Sequence, residues 1–200
     1  MASERLNMAF EIVFEAKKWK TGLARLKHVA DNIAELEKFE AKGIQPLAKP
    51  LSEMKRMHDQ ARETIISEGI KDVYEEARAK AQLATTTAGK VGAVNKGILE
   101  LRELSQETGR HQVLEKAAAQ LKAYAHHLQF KAMIDDGEKA EFKGNLKKAL
   151  DQYQEALFFV MKDDIPDSEQ AGLIEKLKRK VEQLKTTQAD AEATKKTRKG

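Results

Sequence analysis

Apolar residues recur every three or four positions along most of this chain, which is the spacing of an amphipathic helix. The pattern begins near Ser3 and continues to about Ala41, where Gly43 predicts a helix end. Two heptad positions carry the apolar residues: Ala9, Ala16, Leu23 and Ala30 at one, and Ile12, Trp19, Leu26 and Ile33 at the other. This narrow seam predicts a first helix that packs against a partner helix, with Trp19 in the core.

The clearest break in the pattern is the segment KGIQPLAKPL, which contains Pro46 and Pro50. Proline disfavours helical geometry in the residue before it, so we expect a loop here. The next helix is predicted to begin near Leu51, or with Ser52 as its cap. Gly69 is a candidate interruption of this helix. The predicted apolar stripe consists of Met54, Met57 or His58, Ala61, Ile65, Ile70, Val73, Tyr74, Ala77 and Ala81.

The segment LATTTAGKVGAVNKGILEL is rich in threonine and glycine, and each interior glycine costs a helix about 1 kcal/mol. Two interpretations of residues 85–97 fit. Either a loop is followed by a helix from about Lys90, which we favour, or one long helix uses its small residues for a close crossing. A phosphate-binding loop is excluded because Ala84 replaces its first glycine and Val91 follows the lysine.

Two further helices are predicted beyond Gly109. The first runs from about His111 to Asp135, and its buried stripe is predicted to be Leu114, Ala117, Leu121, Tyr124 or Ala125, Leu128 and Ala132. The last begins after Pro166, with Asp167 or Ser168 as cap, and is predicted to bury Ile174, Leu177, Val181 and Leu184. Apolar periodicity ends at Thr186, so the remainder is predicted to be a disordered basic tail.

Between these helices, the stretch GEKAEFKGNLKKALDQYQEAL places small and aromatic residues in a fixed order. Gly144 is followed by Leu146, Ala149, Tyr153 and Ala156. This order resembles the second half of a tetratricopeptide repeat, and the region of about residues 131–162 would form one helical hairpin of that kind. The resemblance implies a glycine-bearing turn, with Gly137 as the small residue of the first helix and Phe142 packed just before the turn. More weakly, the hairpin and final helix are similar to a three-helix microtubule-interacting-and-transport unit.

The composition agrees with an all-α protein. Ala, Leu, Lys, Glu and Gln dominate the 200 residues, which are good helix formers, and only three prolines occur. We expect an antiparallel bundle of long helices with a repeat-like C-terminal hairpin and a final helix. The predicted domains are residues 1–108, residues 109–186 and a tail over residues 187–200.

Charge and cysteine content narrow the function classes. The net charge is only +4, and the two signs are mixed along the chain rather than segregated as in a nucleic-acid binder. The absence of cysteine excludes disulfides and thiolate chemistry. No signal peptide and no apolar run of about 18 residues is present. We therefore expect a cytoplasmic protein with no membrane partner.

No constellation of reactive residues is apparent. The five histidines lack a glutamate three positions earlier, so a helical di-iron pattern is absent, and His126 and His127 point about 100° apart on a helix. The acidic pairs at residues 135–136 and 163–164 sit at predicted helix ends, where capping explains them. We expect no catalytic site, no metal and no cofactor.

These features predict a non-enzymatic scaffold that binds another protein or a peptide through the hairpin region. The residues predicted to flank its groove are Tyr124, Lys131, Asn145 and Gln152. The seam of the first helix could also pair with its own copy in a homodimer. The alternative is a nucleic-acid-associated protein that uses the basic last helix and tail, which the mixed charge does not favour.

Overall fold

The computed structural model of the chain describes residues 18–44, 50–162 and 167–197. Within these ranges the chain forms helices joined by turns, and it contains no strand there. The helices are α1 (Trp19–Glu40), α2 (Leu51–Leu83), α3 (Thr87–Thr108), α4 (His111–Phe142), α5 (Leu146–Met161) and α6 (Asp167–Thr197). The predicted all-α class and helical-bundle architecture are confirmed.

The chain divides into two units. The first unit comprises the described residues within Met1–Ala79 and Lys96–Leu121, and the second comprises those within Lys80–Asn95 and Lys122–Gly200. Helices α2, α3 and α4 each contribute residues to both units. The predicted boundary falls in the turn between two helices, at residues 108 and 109. The two units are instead divided within helices, because one end of each of these three helices belongs to the first unit and the other end to the second.

In the first unit, α1 and α2 run antiparallel. Gly22 lies against Ile65, Trp19 lies against Gly69, and Lys55 forms an ion pair with Glu37. As the position along α1 increases, the contacted position along α2 decreases, and this is the signature of antiparallel packing. The five residues that α1 buries are Trp19, Gly22, Leu26, Val29 and Ile33.

The predicted seam of α1 is correct at one heptad position and wrong at the other. Trp19, Leu26 and Ile33 are buried as predicted, whereas Leu23 and Ala30 are only half-buried. Gly22 and Val29 take the second position instead. A Cβ at residue 22 would lie 3.0 Å from Ile65 Cδ1, so glycine allows the approach that alanine was expected to provide. The seam residues before Lys18, and the helix start near Ser3, lie outside the described residues.

Gly69 does not interrupt α2, contrary to the sequence-based suggestion. The helix is continuous from Leu51 to Leu83, and a Cβ at residue 69 would lie 2.8 Å from the Cβ of Trp19. The glycine therefore makes room for the indole side chain. Because α2 already begins at Leu51, Ser52 lies inside the helix rather than at its cap. Pro46 lies outside the described residues.

The threonine- and glycine-rich segment is mostly helical. Helix α2 ends at Leu83, α3 begins at Thr87, and the Thr86 hydroxyl accepts a hydrogen bond of 3.1 Å from the backbone N–H of Gly89. The favoured interpretation, a loop before a helix from about Lys90, is therefore right about the break but places the helix start three residues late. The other interpretation is right about a close crossing, since Gly97 packs against Ala77 of α2 and Leu121 of α4.

Because Gly97 lies at this crossing and Gly92 does not, substitution by alanine should change stability in opposite directions at these two positions of α3. At Gly97 a Cβ would meet the Ala77 Cβ at 2.7 Å and Leu121 Cδ1 at 3.1 Å, whereas at Gly92 nothing lies within 4 Å. We expect Gly97→Ala to lower the free energy of unfolding by about 1–2 kcal/mol, because overpacking outweighs the gain in helix propensity. Gly92→Ala should raise it by up to about 1 kcal/mol. Urea unfolding measures both, and stabilisation by both substitutions would contradict the close packing.

Helix α4 is longer than predicted. It continues past Asp135 to Phe142, because Glu138, Lys139 and Ala140 extend it beyond the acidic pair that suggested a cap. Its predicted stripe is buried at Leu114, Ala117, Leu121 and Ala125 and half-buried at Tyr124, Leu128 and Ala132. The predicted stop before it is correct, since Gly109 has a φ of +69°.

Helix α6 buries the predicted Ile174, Leu177, Val181 and Leu184. The prediction of disorder from Thr186 does not agree with the structure, in which α6 continues to Thr197. Loss of apolar periodicity signals loss of burial, and a solvated helix of alanine, glutamine and lysine needs no buried face. The hydroxyls of Thr186 and Thr187 donate to the carbonyls one turn earlier. The predicted cap residues' side chains and residues 198–200 lie outside the described part of the chain.

Candidate interaction surface

The second unit has its own core, formed where the C-terminal part of α4 meets α5 and α6. Helices α5 and α6 pack directly on each other. The buried residues of this core are Ala140, Ala149, Tyr153, Val160, Ile174, Leu177, Val181 and Leu184. Partly buried apolar residues such as Phe130, Ile134 and Leu157 surround them. The small alanines of α4 and α5 allow the helices to approach closely, and the aliphatic side chains of α6 fill the remaining space.

A tight turn joins α4 to α5 at the position that the glycine spacing predicted. Gly144 has a φ of +71°, a region that favours glycine, and Asn145 donates its backbone N–H to the Ala140 carbonyl at 2.9 Å. The Asn145 side chain then accepts a hydrogen bond of 3.1 Å from the backbone N–H of Lys148. One residue thus closes α4 and caps α5, which fixes the hairpin geometry.

Gly137 and Tyr153 explain the cadence of small and aromatic residues. A Cβ at residue 137 would lie 3.1–3.3 Å from three carbons of the Tyr153 ring, so the ring rests on the bare backbone of α4. Ala149 and Ala156, on the same helix as Tyr153, have no exposed surface. An aromatic residue between two alanines therefore fills the space that the glycine leaves.

A polar bridge links the three helices beside this ring. Lys180 of α6 donates to Glu141 of α4 at 2.7 Å, and the Tyr153 hydroxyl donates to the same carboxylate at 3.4 Å. The Lys180 ammonium also lies 5.7 Å from the centre of the Tyr153 ring. Burial, followed by the charges of Glu141 and Glu138, raises the pKa of Tyr153 to about 12. The bridge thus holds its tyrosine as a neutral donor.

Phe142 is not packed before the turn, as the resemblance implied, but is 93% exposed. The buried face of α4 contains Gly137 and Ala140. Residue 142 comes two positions after Ala140, which is about 200° around a helix and therefore on the opposite side. The same 100° rule applied to the sequence could have found this.

The outward face of α5 carries two large apolar residues near its C-terminal end. Phe158 is 59% exposed and Met161 is 47% exposed, and residues three apart share a helix face. The ammonium of Lys162 lies 4.6 Å from the centre of the Phe158 ring. The next residue, Phe159, stacks its ring on the ring of His126 of α4, and the two ring centres are 4.3 Å apart. The sequence indicates this face through the run LFFVM at residues 157–161. Five consecutive apolar residues extend all the way around a helix, so they cannot all lie in one buried stripe.

The four residues predicted to flank a groove all lie in the second unit. Tyr124 is half-buried and Lys131 is exposed, both on α4. Asn145 is exposed and caps α5, while Gln152 is half-buried on α5 and bonds Glu155 at 3.3 Å. Asn145 thus has a structural role besides any binding role. The role of the four residues in binding stays a prediction.

The acidic, basic and histidine side chains of the described residues bear on metal binding and on nucleic-acid binding. No three His, Asp or Glu side chains there come together in a group able to hold a metal ion. On α6, whose basic residues suggested nucleic-acid binding, Arg179 pairs with Glu175 and Lys185 pairs with Glu182. No helix within the described ranges combines the length and apolar character needed to cross a bilayer.

Comparison of the chain with protein-family models, with curated proteins and with solved structures gives no match.

Proposed function

We propose that this chain is a non-enzymatic helical protein that binds another protein through the second unit. The observation that carries the proposal is the pair Phe158 and Met161 on the outward face of α5. Both side chains are about half exposed although the helix already buries a complete stripe against its neighbours. Exposed apolar residues that adjoin one another are typical of protein interfaces, whereas isolated ones are common on any surface.

The fold supports a rigid site of this kind. The Asn145 cap and the Gly137–Tyr153 contact hold α5 against α4, and the Lys180–Glu141 ion pair joins α6 to α4. A partner helix or peptide that contacts Phe158 and Met161 would therefore meet a preorganised surface and lose little affinity to ordering. The predicted residues Lys131 and Gln152 belong to the same unit, but Gln152 is nine positions before Met161 and therefore about 180° around α5 from it.

Affinity purification with three forms of the protein tests this function. Phe158→Ser/Met161→Ser removes the apolar pair, and Leu99→Ser/Val113→Ser removes two residues of similar exposure, 58% and 56%, outside the second unit. We expect the wild type and the control to retain a common partner that the site variant loses by tenfold or more, since central apolar contacts carry about 2 kcal/mol or more each.

Two further variants examine the residues predicted from the sequence. Lys131→Ala/Gln152→Ala should weaken the same partner by a few-fold only if the bound surface extends around α5 and onto α4, and unchanged binding would confine the surface to the apolar pair. Asn145→Ser keeps a capping side chain and should change binding little. Identical partners recovered at identical yield by every form would refute binding at this face.

A further inference from the structure

The turn between α4 and α5 carries a second exposed feature, which consists of Phe142, Lys143, Lys147 and Lys148 and is called the hairpin tip below. Phe142 is 93% exposed, the largest exposure among the large hydrophobic residues described. The three lysines are exposed as well. Within the described residues, their ammonium groups enter none of the ion pairs or hydrogen bonds, whereas the nearby Lys139 and Lys180 pair with Asp136 and Glu141.

The positions of Lys147 and Lys148 oppose local stability. They occupy the first turn of α5, which contains no acidic residue. The N-terminal end of a helix carries a partial positive charge and favours carboxylates there. Two lysines at the N-terminal end of α5 therefore add to the positive potential of the helix dipole, whereas carboxylates would neutralise it. Residues that break a local rule without a structural gain are typical of functional positions.

The shape of the hairpin tip indicates its partner. Phe142 is the last residue of a helix beside a tight turn, and its side chain lies almost entirely in solvent. A protruding ring needs a partner that supplies the apolar environment itself. A bilayer interface does so, and anionic headgroups would neutralise the lysines around it.

We propose that the hairpin tip binds the surface of an anionic lipid bilayer, with the Phe142 ring entering the interface and the three lysines contacting headgroups. Glu138 and Asp151, one turn from the tip on α4 and α5, carry the opposing charge and limit the strength of attraction. The contact is therefore weak and reversible for a single copy. The sequence-based expectation of no membrane partner considered spanning segments and signal peptides, and a peripheral contact needs neither.

Sedimentation with sucrose-loaded vesicles tests this proposal. The vesicles contain phosphatidylcholine alone or two parts phosphatidylcholine to one part phosphatidylserine. We expect binding to the anionic vesicles that falls as salt is raised. Replacing Lys143, Lys147 and Lys148 by glutamine should weaken it about a hundredfold, since each lysine near such a surface contributes about fivefold. Phe142→Ser should weaken it about tenfold.

Matched controls distinguish an effect of the hairpin tip from an effect of net charge and from an effect of exposed apolar residues in general. Glutamine at Lys27, Lys42 and Lys116 removes the same charge from exposed positions elsewhere, and Leu83→Ser removes a large apolar side chain that is 84% exposed at the end of α2. Both controls should bind nearly as well as the wild type. The lysine-to-glutamine tip variant should keep or slightly raise Tm, because it removes unfavourable charges from the start of α5.

Several results would overturn the proposal. These are no binding to anionic vesicles at low salt, equal loss in the tip and control triple variants, or binding unaffected by Phe142→Ser. A duplex oligonucleotide that binds through the three lysines, without vesicle binding, would assign the hairpin tip to nucleic acid instead.

Discussion

Replacing Tyr153 by alanine is expected to lower the free energy of unfolding by about 3–5 kcal/mol, the range for a large buried aromatic residue. Tyr153 is only 4% exposed, and its ring covers Gly137 and lies beside Lys180. Alanine would leave a cavity between α4 and α5 that the glycine backbone cannot fill. Urea unfolding followed by circular dichroism measures the loss, and a loss below about 1 kcal/mol would contradict the central position of this ring.

Phenylalanine at position 153 is the matched control, because it keeps the ring and removes only the hydroxyl. The bond to Glu141 is long at 3.4 Å, so Tyr153→Phe should cost at most about 1 kcal/mol near neutral pH. The two variants together separate the contribution of the ring from that of the hydroxyl.

Comparison of the wild type with Tyr153→Phe also predicts how the free energy of unfolding changes with pH. The pKa of Tyr153 is about 12 in the folded protein against 10.0 for the unperturbed group. An unfolded chain therefore releases this proton first as pH rises, and that release favours unfolding. The tyrosine's contribution is complete below about pH 10 and is lost as pH rises towards 12. We expect the wild type to lose stability more steeply than Tyr153→Phe over this window, and parallel curves would refute the shift.

Replacing Leu101 by alanine is expected to lower the free energy of unfolding by about 2–5 kcal/mol. Leu101 has no exposed surface and belongs to the part of α3 that lies in the first unit. Its removal costs the transfer free energy of the lost carbons and leaves a cavity that neighbouring helices close only in part.

Leu99→Ala is the control for this substitution, since Leu99 lies two positions away on the same helix and is 58% exposed. Leucine and alanine have similar helix propensities, so this change should alter the free energy by less than about 0.5 kcal/mol. Equal losses for the two variants in urea unfolding would mean that the predicted face of α3 is wrong.

The class of the fold and most of its buried stripes follow from local patterns in the sequence. Trp19, Leu26 and Ile33 on α1 and the four apolar residues of α6 are buried where heptad spacing placed them. The turn at Gly144 also follows from local chemistry, because a positive φ favours glycine whatever surrounds it. Periodicity and turn chemistry are properties of neighbouring residues, so a single sequence carries them.

In α6 the helix extends further than its buried stripe does. The sequence-based prediction treated the end of the stripe as the end of the helix. Periodicity ends near Thr186, yet the helix continues to Thr197 with most of its described side chains exposed. A stripe reports whether a helix packs against something, while propensity reports whether it forms.

The reason for two of the glycines within helices becomes visible only when the helices are packed together. Gly69 and Gly97 resemble helix breakers in a sequence, but each lies within a continuous helix and faces a side chain of another helix at less than van der Waals distance for an added Cβ. The partner that makes a glycine necessary comes from a distant part of the chain, Trp19 for Gly69 and Ala77 for Gly97. No local pattern encodes that pairing, because it depends on how antiparallel helices are aligned in space.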